Sequence, residues 1–302
     1  MSVKITVPAT SANLGIGYDC LGMAVSLYSE FTFERADELQ ISGCPEKYCN
    51  ENNLVYRSFE LALAHWGEEP FPIKLHIDAA IPVSRGLGSS STCTVAGIMG
   101  ANMLLGEPLD RNAVIDLAAT IEGHPDNSTP AILGGFCVAL LENGHVSHVR
   151  VPVHGAIDFV VFIPDFQLST EKARQALPGQ LAFKDAVHNV SRVSLLPAAM
   201  NPAMLATGQH QNANALLFAA TQDRLHQPYR APLMEPSWAL IEKLRSHGFA
   251  SMVSGAGPCV LVLHHGDARE QLEQLASEEL ASGHWRVLHL GVDTKGVQVE
   301  RV

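Results

Sequence analysis

The spacing of apolar residues predicts both strands and helices in the first half of the chain. Apolar residues three or four positions apart predict helices at 54–66 and directly after Asp110, and Gly67 and Gly123 predict where these helices end. Strict alternation of apolar and polar residues predicts strands with one buried face, at residues 3–7, 25–35 and 73–77.

The second half continues this mixture without a regular strand–helix alternation. Helical spacing covers 184–227, 236–247 and 267–281. Strand-like runs cover 135–141, 157–163 and 285–299, and a strand–turn–strand fills 250–263. Such irregular mixing favours an α+β fold over a doubly wound parallel sheet. A chain of 302 residues is long enough for two domains. We therefore predict a division into domains at 1–155 and 156–302.

Composition and charge narrow the classes of function. Apolar residues make up 47% and charged residues 17%, which is typical of a soluble globular protein. The net charge of −11 and the absence of a basic run exclude nucleic acid as a partner held by bulk electrostatics. None of the six cysteines forms a C-x-x-C pair, and no apolar leader is evident at the N-terminus. We expect a reduced, cytoplasmic protein without a signal peptide.

The segment from Gly86 to Gly106 carries no charged residue. Its 21 residues are nominally enough to cross a bilayer, but glycine and hydroxyl residues keep its apolar content low. We expect a helix buried inside the protein and no membrane partner.

The stretch I-P-V-S-R-G-L-G-S-S-S-T at 81–92 comes directly before this apolar run. Exposed N–H groups at a helix start bind phosphate without any charged side chain, and glycine permits close approach of the backbone. The stretch lacks the lysine of a Walker-type loop. Taken alone, it is equally consistent with a loop that caps a buried helix.

Three further stretches combine glycine with polar residues. P-A-T-S-A-N-L-G-I-G-Y-D at 8–19 follows the first predicted strand and is long for a simple turn, which favours a binding loop. I-E-G-H-P-D-N at 121–127 crowds polar groups at a helix end, where a carboxylate suits Mg²⁺. A zinc site there would lack further Cys or His ligands at the usual spacing. V-S-G-A-G-P-C at 253–259 alone indicates only a glycine turn.

Taken together and in this order, these stretches resemble the three motifs of the GHMP kinase superfamily. The resemblance covers nearly the whole chain. It implies a ribosomal-protein-S5-like N-terminal domain, which holds the ATP phosphate loop, and a ferredoxin-like C-terminal domain. Within the superfamily the chain resembles the homoserine kinases, through E-G-H-P-D-N at 122–127, S-T-E-K-A-R-Q-A-L-P at 169–178, N-V-S-R-V at 189–193 and D-R-L-H-Q-P-Y-R at 223–230.

This resemblance implies phosphorylation of the side-chain hydroxyl of L-homoserine by ATP with Mg²⁺, a step toward threonine. A homodimer is common in the family. Two alternatives remain: a related kinase for another small hydroxy compound such as L-threonine, and a non-catalytic relative that binds nucleotide or amino acid.

The resemblance also assigns roles to individual residues. Ser90 and Glu122 would hold the metal ion, and both are counted with Asn127 as catalytic. The amino acid would be surrounded by Asn13, Asp19, His124, Asp126, Asn127, Arg174, Arg192 and Arg230. The nucleotide would be held by Pro82, Val83, Ser84, Arg85, Gly86, Leu87, Gly88, Ser89, Ser90, Ser91 and Thr92.

Asn127 occupies the position where mevalonate-type kinases have an aspartate base. Because an amide cannot abstract a proton at neutral pH, this implies catalysis by alignment and charge neutralisation, with the γ-phosphate as proton acceptor. The chain departs from the family pattern at two places. Ser91 and Thr92 replace two alanines, and Ser128 and Thr129 replace a small or apolar pair.

Overall fold

The computed structural model describes residues 2–201, 203 and 213–302. The strands are β1 (Ser2–Ala12), β2 (Leu21–Arg35), β3 (Gln40–Ser42), β4 (Ile73–Ala79), β5 (Phe136–Glu142), β6 (His145–Val151), β7 (Ile157–Pro164), β8 (Ala250–Val253), β9 (Val260–His265), β10 (Trp285–Leu290) and β11 (Gln298–Arg301). The helices are α1 (Leu54–His65), α2 (Ser89–Leu104), α3 (Arg111–Glu122), α4 (Ser128–Leu133), α5 (Thr170–Gln175), α6 (Phe183–Val193), α7 (Leu196–Met200), α8 (Ala213–Ala220), α9 (Gln227–Arg230), α10 (Glu235–Ser246), α11 (Arg269–Leu275) and α12 (Ser277–Ala281).

The long strand β2 organises the first sheet. Its C-terminal half pairs with β4, and its first residues pair with β5. Along the other edge it pairs antiparallel with β1, and β1 in turn pairs with β11. The order is β11-β1-β2-β4-β3, with β5 and β6 branching from the start of β2. Alternate apolar side chains of β1 and β2, including Ile5 and Phe33, pack with α1, α2 and α3 into one core.

The second sheet has the order β10-β7-β9-β8, and all its neighbours are antiparallel. Helices α5 to α10 connect β7 to β8, and α11 and α12 connect β9 to β10. This is the β-α-β-β-α-β order of a ferredoxin-like unit, and the predicted α+β class is confirmed. The division into domains after residue 155 remains a prediction. Strand β11 does not follow it, because it comes after residue 155 in the sequence but lies in the first sheet.

The sequence prediction of one strand over 285–299 is wrong, because a turn at 291–297 splits that segment between the two sheets. Asp293 fixes this turn by accepting hydrogen bonds from the backbone N–H groups of Lys295 and Gly296. The helical prediction at 184–227 is divided among α6, α7, α8 and α9, and its residues 202 and 204–212 lie outside the described residues.

The uncharged run forms helix α2, which is buried along most of its length, as expected. Among the residues that the structure describes, no helix has both the length and the apolar character needed to span a membrane. The six cysteines are free thiols.

Helices α1 and α2 pack closely because Gly97 has no side chain. A Cβ atom added there would lie 2.4 Å from the carbonyl oxygen of Val55 and 2.8 Å from the nitrogen of Phe59. One turn later, a Cβ atom at Gly100 would lie 2.7 Å from the ring of Phe33. The glycines therefore set how closely α2 approaches both α1 and the sheet.

We expect Gly97→Ala to lower the free energy of unfolding by about 1–3 kcal/mol, because the overpacking of backbone atoms outweighs the gain in helix propensity. The measurement is chemical denaturation followed by circular dichroism. Gly155→Ala is the matched control, since a Cβ atom there meets no atom within 4 Å and the backbone is not left-handed. Equal stability of the two variants would contradict this account of the α1–α2 contact.

Candidate active site

One cavity of about 550 Å³ gathers most of the residues that the sequence singles out. It lies among the loop after β1, the segment before α2, the start of α4, helix α5 and the turn between β8 and β9. The predicted residues on its wall are Asn13, Asp19, Pro82, Val83, Ser84, Arg85, Gly86, Gly88, Ser89, Ser90, His124, Asp126, Asn127, Arg174 and Arg230.

Helix α2 begins at this cavity. Its N-cap Gly88 is in the left-handed conformation, with φ at 69°, and the first turn contains no acidic residue. Unpaired N–H groups and the positive end of the helix dipole therefore lie beside Ser89 and Ser90 on the cavity wall. This arrangement attracts an anion without any lysine.

The loop before α2 is fixed by other parts of the chain. Three consecutive carbonyl groups of the loop each accept a hydrogen bond from a distant residue. The pairs are Cys259 N to Arg85 O at 3.1 Å, Ser254 Oγ to Gly86 O at 2.6 Å, and Thr10 N to Leu87 O at 3.2 Å. The stretches at 8–19 and 253–259 thus fix the loop at 81–92. The carbonyl oxygens of this loop, which would repel an anion, accept hydrogen bonds from the protein instead.

Opposite the loop, Arg174 forms a bidentate ion pair with Asp19. Its two terminal nitrogens lie 2.9 and 2.7 Å from the carboxylate oxygens, and one of them also donates to the hydroxyl of Tyr18 at 2.8 Å. About a third of each charged side chain is exposed. Asp19 has a left-handed backbone, with φ at 56°, and its N–H donates to Asn13 Oδ1. Among the described residues, its carboxylate accepts hydrogen bonds from Arg174 alone.

Arg230 is almost fully buried, at 2% exposure, yet it borders the cavity. Its side chain donates to the carbonyl oxygens of Ala173 and Gly255 at 3.1 and 3.3 Å. Burial lowers the pKa of this guanidinium from its ordinary value. Arg230 therefore supplies positive charge from below the cavity surface, and it connects α5 with the β8–β9 turn.

The neighbouring acidic group is Asp126, which is 2% exposed and lies 2.6 Å from Nδ1 of His124. Burial acts to lower the pKa of His124, but the hydrogen bond to Asp126 and the negative charges of Asp126 and Glu122 together outweigh it, so that this pKa is raised overall. Ligand atoms of Asp19, His124 and Asp126 lie within 4.8 Å of one another, the separation that a metal site would need. Both carboxylates already have a cationic or hydrogen-bonding partner, so this cluster suits an ammonium group better than a bare metal ion.

Glu122 has a different environment. Its Oε2 accepts a 2.7 Å hydrogen bond from Ser91, whereas Oε1 is buried and has no partner among the described residues. Burial raises the pKa of this carboxyl to about 7, although His124 and the Ser91 hydrogen bond oppose the rise. An unpartnered buried carboxylate oxygen fits a cation, and Ser90, one residue before Ser91, is exposed on the cavity wall. Ser90 and Glu122 are thus compatible with the expected Mg²⁺.

The structure gives a local account of Ser91 and Thr92. Both are buried: the Ser91 hydroxyl bonds to Glu122, and the Thr92 hydroxyl donates to the carbonyl of Gly88 at 2.9 Å. Neither residue is on the cavity wall, and the backbone N–H of Thr92 donates to the carbonyl of Gly88 at 2.9 Å. The hydroxyls of Ser128 and Thr129 are buried without a partner among the described residues, and nothing in the structure explains their presence.

Three other predicted residues are not on the cavity wall: Glu122, Arg192 and Leu87. Arg192 on α6 donates to the carbonyl of His188 at 3.3 Å, and Leu87 is buried in the core. The sequence also missed wall residues. Tyr18 lies within the 8–19 stretch and Thr170 within the 169–178 stretch. The other wall residues that the sequence does not mark as functional lie at 43–55: Gly43, Cys44, Pro45, Tyr48, Asn53, Leu54 and Val55.

Two family models match the chain. The family described as GHMP kinases N terminal domain matches residues 53–135, and the one described as GHMP kinases C terminal matches residues 200–281. Together they cover more than half of the chain. The chain belongs to the GHMP kinase family.

Several of its relatives are named homoserine kinase. A homoserine kinase of Clostridium botulinum is 41% identical over 98% of both chains, and one of Caldicellulosiruptor saccharolyticus is 41% identical over 98% of this chain and 96% of that one. A solved homoserine kinase from Cytophaga hutchinsonii superimposes with a TM-score of 0.83 at 26% identity, covering 99% of this chain and 97% of that one. The GHMP fold and the kinase class predicted from the sequence are confirmed.

The raised pKa of Glu122 predicts a pH-dependent effect on stability in the metal-free protein. Because the folded state holds this proton more tightly than the unfolded state, the carboxyl costs stability as pH rises from about 4.5 to about 7. Glu122→Gln removes that cost. We expect its advantage over the wild type to grow by about 2–3 kcal/mol between about pH 5 and about pH 8.

The measurement is urea unfolding at both pH values in the presence of a chelator. Glu69→Gln is the control, since Glu69 is exposed. An advantage of Glu122→Gln that is the same at both pH values would show that the buried carboxyl does not titrate in this range.

Proposed function

We propose that the protein phosphorylates the side-chain hydroxyl of L-homoserine with ATP, yielding O-phospho-L-homoserine and ADP. The main support for this proposal is that the wall of a single cavity carries groups suited to both substrates. An anion-binding helix start lies on one side, and paired acidic and basic groups suited to a zwitterion lie on the other. The full-length similarity to proteins named homoserine kinase supports the same substrate.

The phosphates of ATP belong at the start of α2. There the N–H groups of Ser89 and Ser90 and the helix dipole supply the attraction that the chain's overall negative charge does not. Arg85 lines the same region and is anchored by its Nε to the carbonyl of Pro164 at 2.9 Å. The remaining wall is mainly apolar and suits the adenine ring, with Leu54, Val55, Ile77, Ala79 and Ile81.

The amino acid belongs between the acidic and basic groups. Its ammonium group would be held by Asp19 and Asp126, and its carboxylate by Arg174 and Arg230. Guanidinium is suited to this task because its fork of N–H donors matches both carboxylate oxygens. In the ligand-free protein Arg174 and Asp19 satisfy each other, so a zwitterion replaces their bidentate contact without leaving either charge unpaired. Arg192 is left out of this site.

Ser90 and Glu122 would hold Mg²⁺ beside the phosphates. The ion would neutralise charge on the transferring phosphoryl group when it is bound. Ser91 keeps one oxygen of Glu122 engaged and leaves the buried Oε1 for the ion.

Phosphoryl transfer here depends on alignment. The acceptor hydroxyl oxygen forms a bond to the γ-phosphorus as the bond to the β–γ bridging oxygen breaks, and ADP leaves. Because Asn127 has no titrating group, the hydroxyl proton passes to an oxygen of the transferring phosphoryl group. The fixed loop, the arginines and the buried carboxylates hold the two reactants in line, and such positioning accounts for most of the catalysis of this reaction class.

The decisive experiment is a coupled assay for ADP release with ATP and Mg²⁺ against L-homoserine, L-threonine, L-serine, mevalonate and galactose. We expect kcat/KM for L-homoserine to exceed the others by about 10-fold or more, since small changes near the reacting hydroxyl cost about 1–3 kcal/mol. Preference for another member of the panel would contradict the substrate, and no turnover with any of them would contradict the enzyme.

The proposed carboxylate contact predicts a separation between substrate and nucleotide effects. Arg174→Lys should raise KM for L-homoserine about 10–100-fold, because a bidentate charged contact is worth about 1.5–3 kcal/mol, and should change KM for ATP by less than about 3-fold. Arg192→Lys is the matched control and should alter neither KM. Equal increases in both Michaelis constants for Arg174→Lys would argue against its place at the amino acid.

A further inference from the structure

Thr10 makes hydrogen bonds to two parts of the proposed site, the loop before α2 and Asn127. It lies on β1, is fully buried, and its backbone N–H bonds to the carbonyl of Leu87 in the phosphate loop at 3.2 Å. Its hydroxyl is 2.8 Å from Oδ1 of Asn127, which lies 117 positions further along the chain. Thr10 therefore contacts both the proposed phosphate loop and an amide on the cavity wall.

The geometry of Gly88 shows how closely these groups approach one another. A Cβ atom at Gly88 would lie 2.0 Å from the hydroxyl oxygen of Thr10 and 3.2 Å from Oδ1 of Asn127. The hydrogen-bonded pair thus occupies the space beside the N-cap of α2, where no side chain could be added. The amide of Asn127 lies next to the position at which a phosphoryl group meets the helix start.

The contact with Thr10 also determines what the amide offers to the cavity. The Thr10 hydroxyl donates to Oδ1 of Asn127, and Nδ2 makes no hydrogen bond to any residue that the structure describes. Asn127 is half-buried and lines the cavity, so Nδ2 is directed toward it. If the amide were reversed, Oδ1 would face the phosphate, and two groups bearing negative charge would oppose each other.

We propose that Thr10 is a positioning residue for phosphoryl transfer: its hydroxyl holds Oδ1 of Asn127 so that Nδ2 donates to an oxygen of the transferring phosphoryl group. This inference rests on the proposed function and assigns a task to an uncharged residue that does not itself line the cavity. A donor aimed where negative charge accumulates lowers the barrier, and a partner that prevents the amide from rotating preserves that aim.

The test is a kinetic double-mutant cycle in the full-length protein. Thr10→Val removes the hydroxyl at nearly constant volume and should lower kcat about 10–100-fold, with KM for both substrates changed less than about 3-fold. Thr10→Ser keeps the hydroxyl and should retain kcat within about 3-fold of the wild type. In an Asn127→Ala background, Thr10→Val should change kcat by less than about 3-fold, because the group that it positions is gone.

A purely structural role of Thr10 gives a different pattern. Thr10→Val would then lower kcat by the same factor with Asn127 or alanine at position 127, or would raise both KM values together with a loss of melting temperature. Either pattern, or an unchanged kcat in Thr10→Val, overturns the proposal. If the wild type uses another member of the substrate panel, the cycle is measured with that compound; an inactive wild type overturns both the function and the role of Thr10.

Discussion

The site depends on three backbone carbonyl groups that are turned away from the cavity. Phosphate binding by an uncharged loop is possible only if N–H groups face the ligand and carbonyl oxygens do not. Arg85, Gly86 and Leu87 meet this condition because each carbonyl accepts a hydrogen bond from a segment remote in sequence. One donor comes from β1 and two come from the β8–β9 turn, so the loop acquires its conformation only when both sheets are in place.

The same constraint explains why glycine recurs in the motifs. At Gly86 a Cβ atom would lie 2.1 Å from the carbonyl oxygen of Ser254, and Gly88 has the close neighbours already described. Both glycines also have positive φ. The loop therefore packs closely against β1 and the β8–β9 turn on one side, and its other side borders the cavity. Binding an anion then requires little reorganisation, since the donors are already ordered.

Structural features that depend on residues close together in the sequence are predicted accurately. Helices α1 and α3 lie within one or two residues of their predicted bounds, because their ends are set by neighbouring groups: Asn53 and Asp110 accept hydrogen bonds from the first-turn N–H groups of Val55 and Ala113. The motif resemblance predicts which segments meet at the cavity, because the family fold brings them together. It therefore anticipates residues as far apart as Asn13 and Arg230.

Contacts that depend on distant partners are not predictable from spacing. The pairing of β11 with β1 joins the two ends of the chain, and no pattern in residues 285–299 distinguishes the strand that leaves the second sheet. The hydrogen bond from Ser91 to Glu122 is of the same kind. Serine at position 91 is unexpected only by comparison with an alanine, because the carboxylate that accepts its hydrogen bond belongs to another helix.

The Ser91 contact also affects the charge of the Glu122 carboxyl, which lies at the proposed metal and phosphate site of a negatively charged protein. A buried Glu122 without a donor would hold its proton even more firmly, and a neutral carboxyl is a poor ligand for a cation. The serine hydroxyl stabilises the charged form through one oxygen and leaves the other unpartnered. With alanine at this position, both oxygens would lack a donor from this residue. The departure from the family pattern therefore favours the same charge state that the proposed metal site requires.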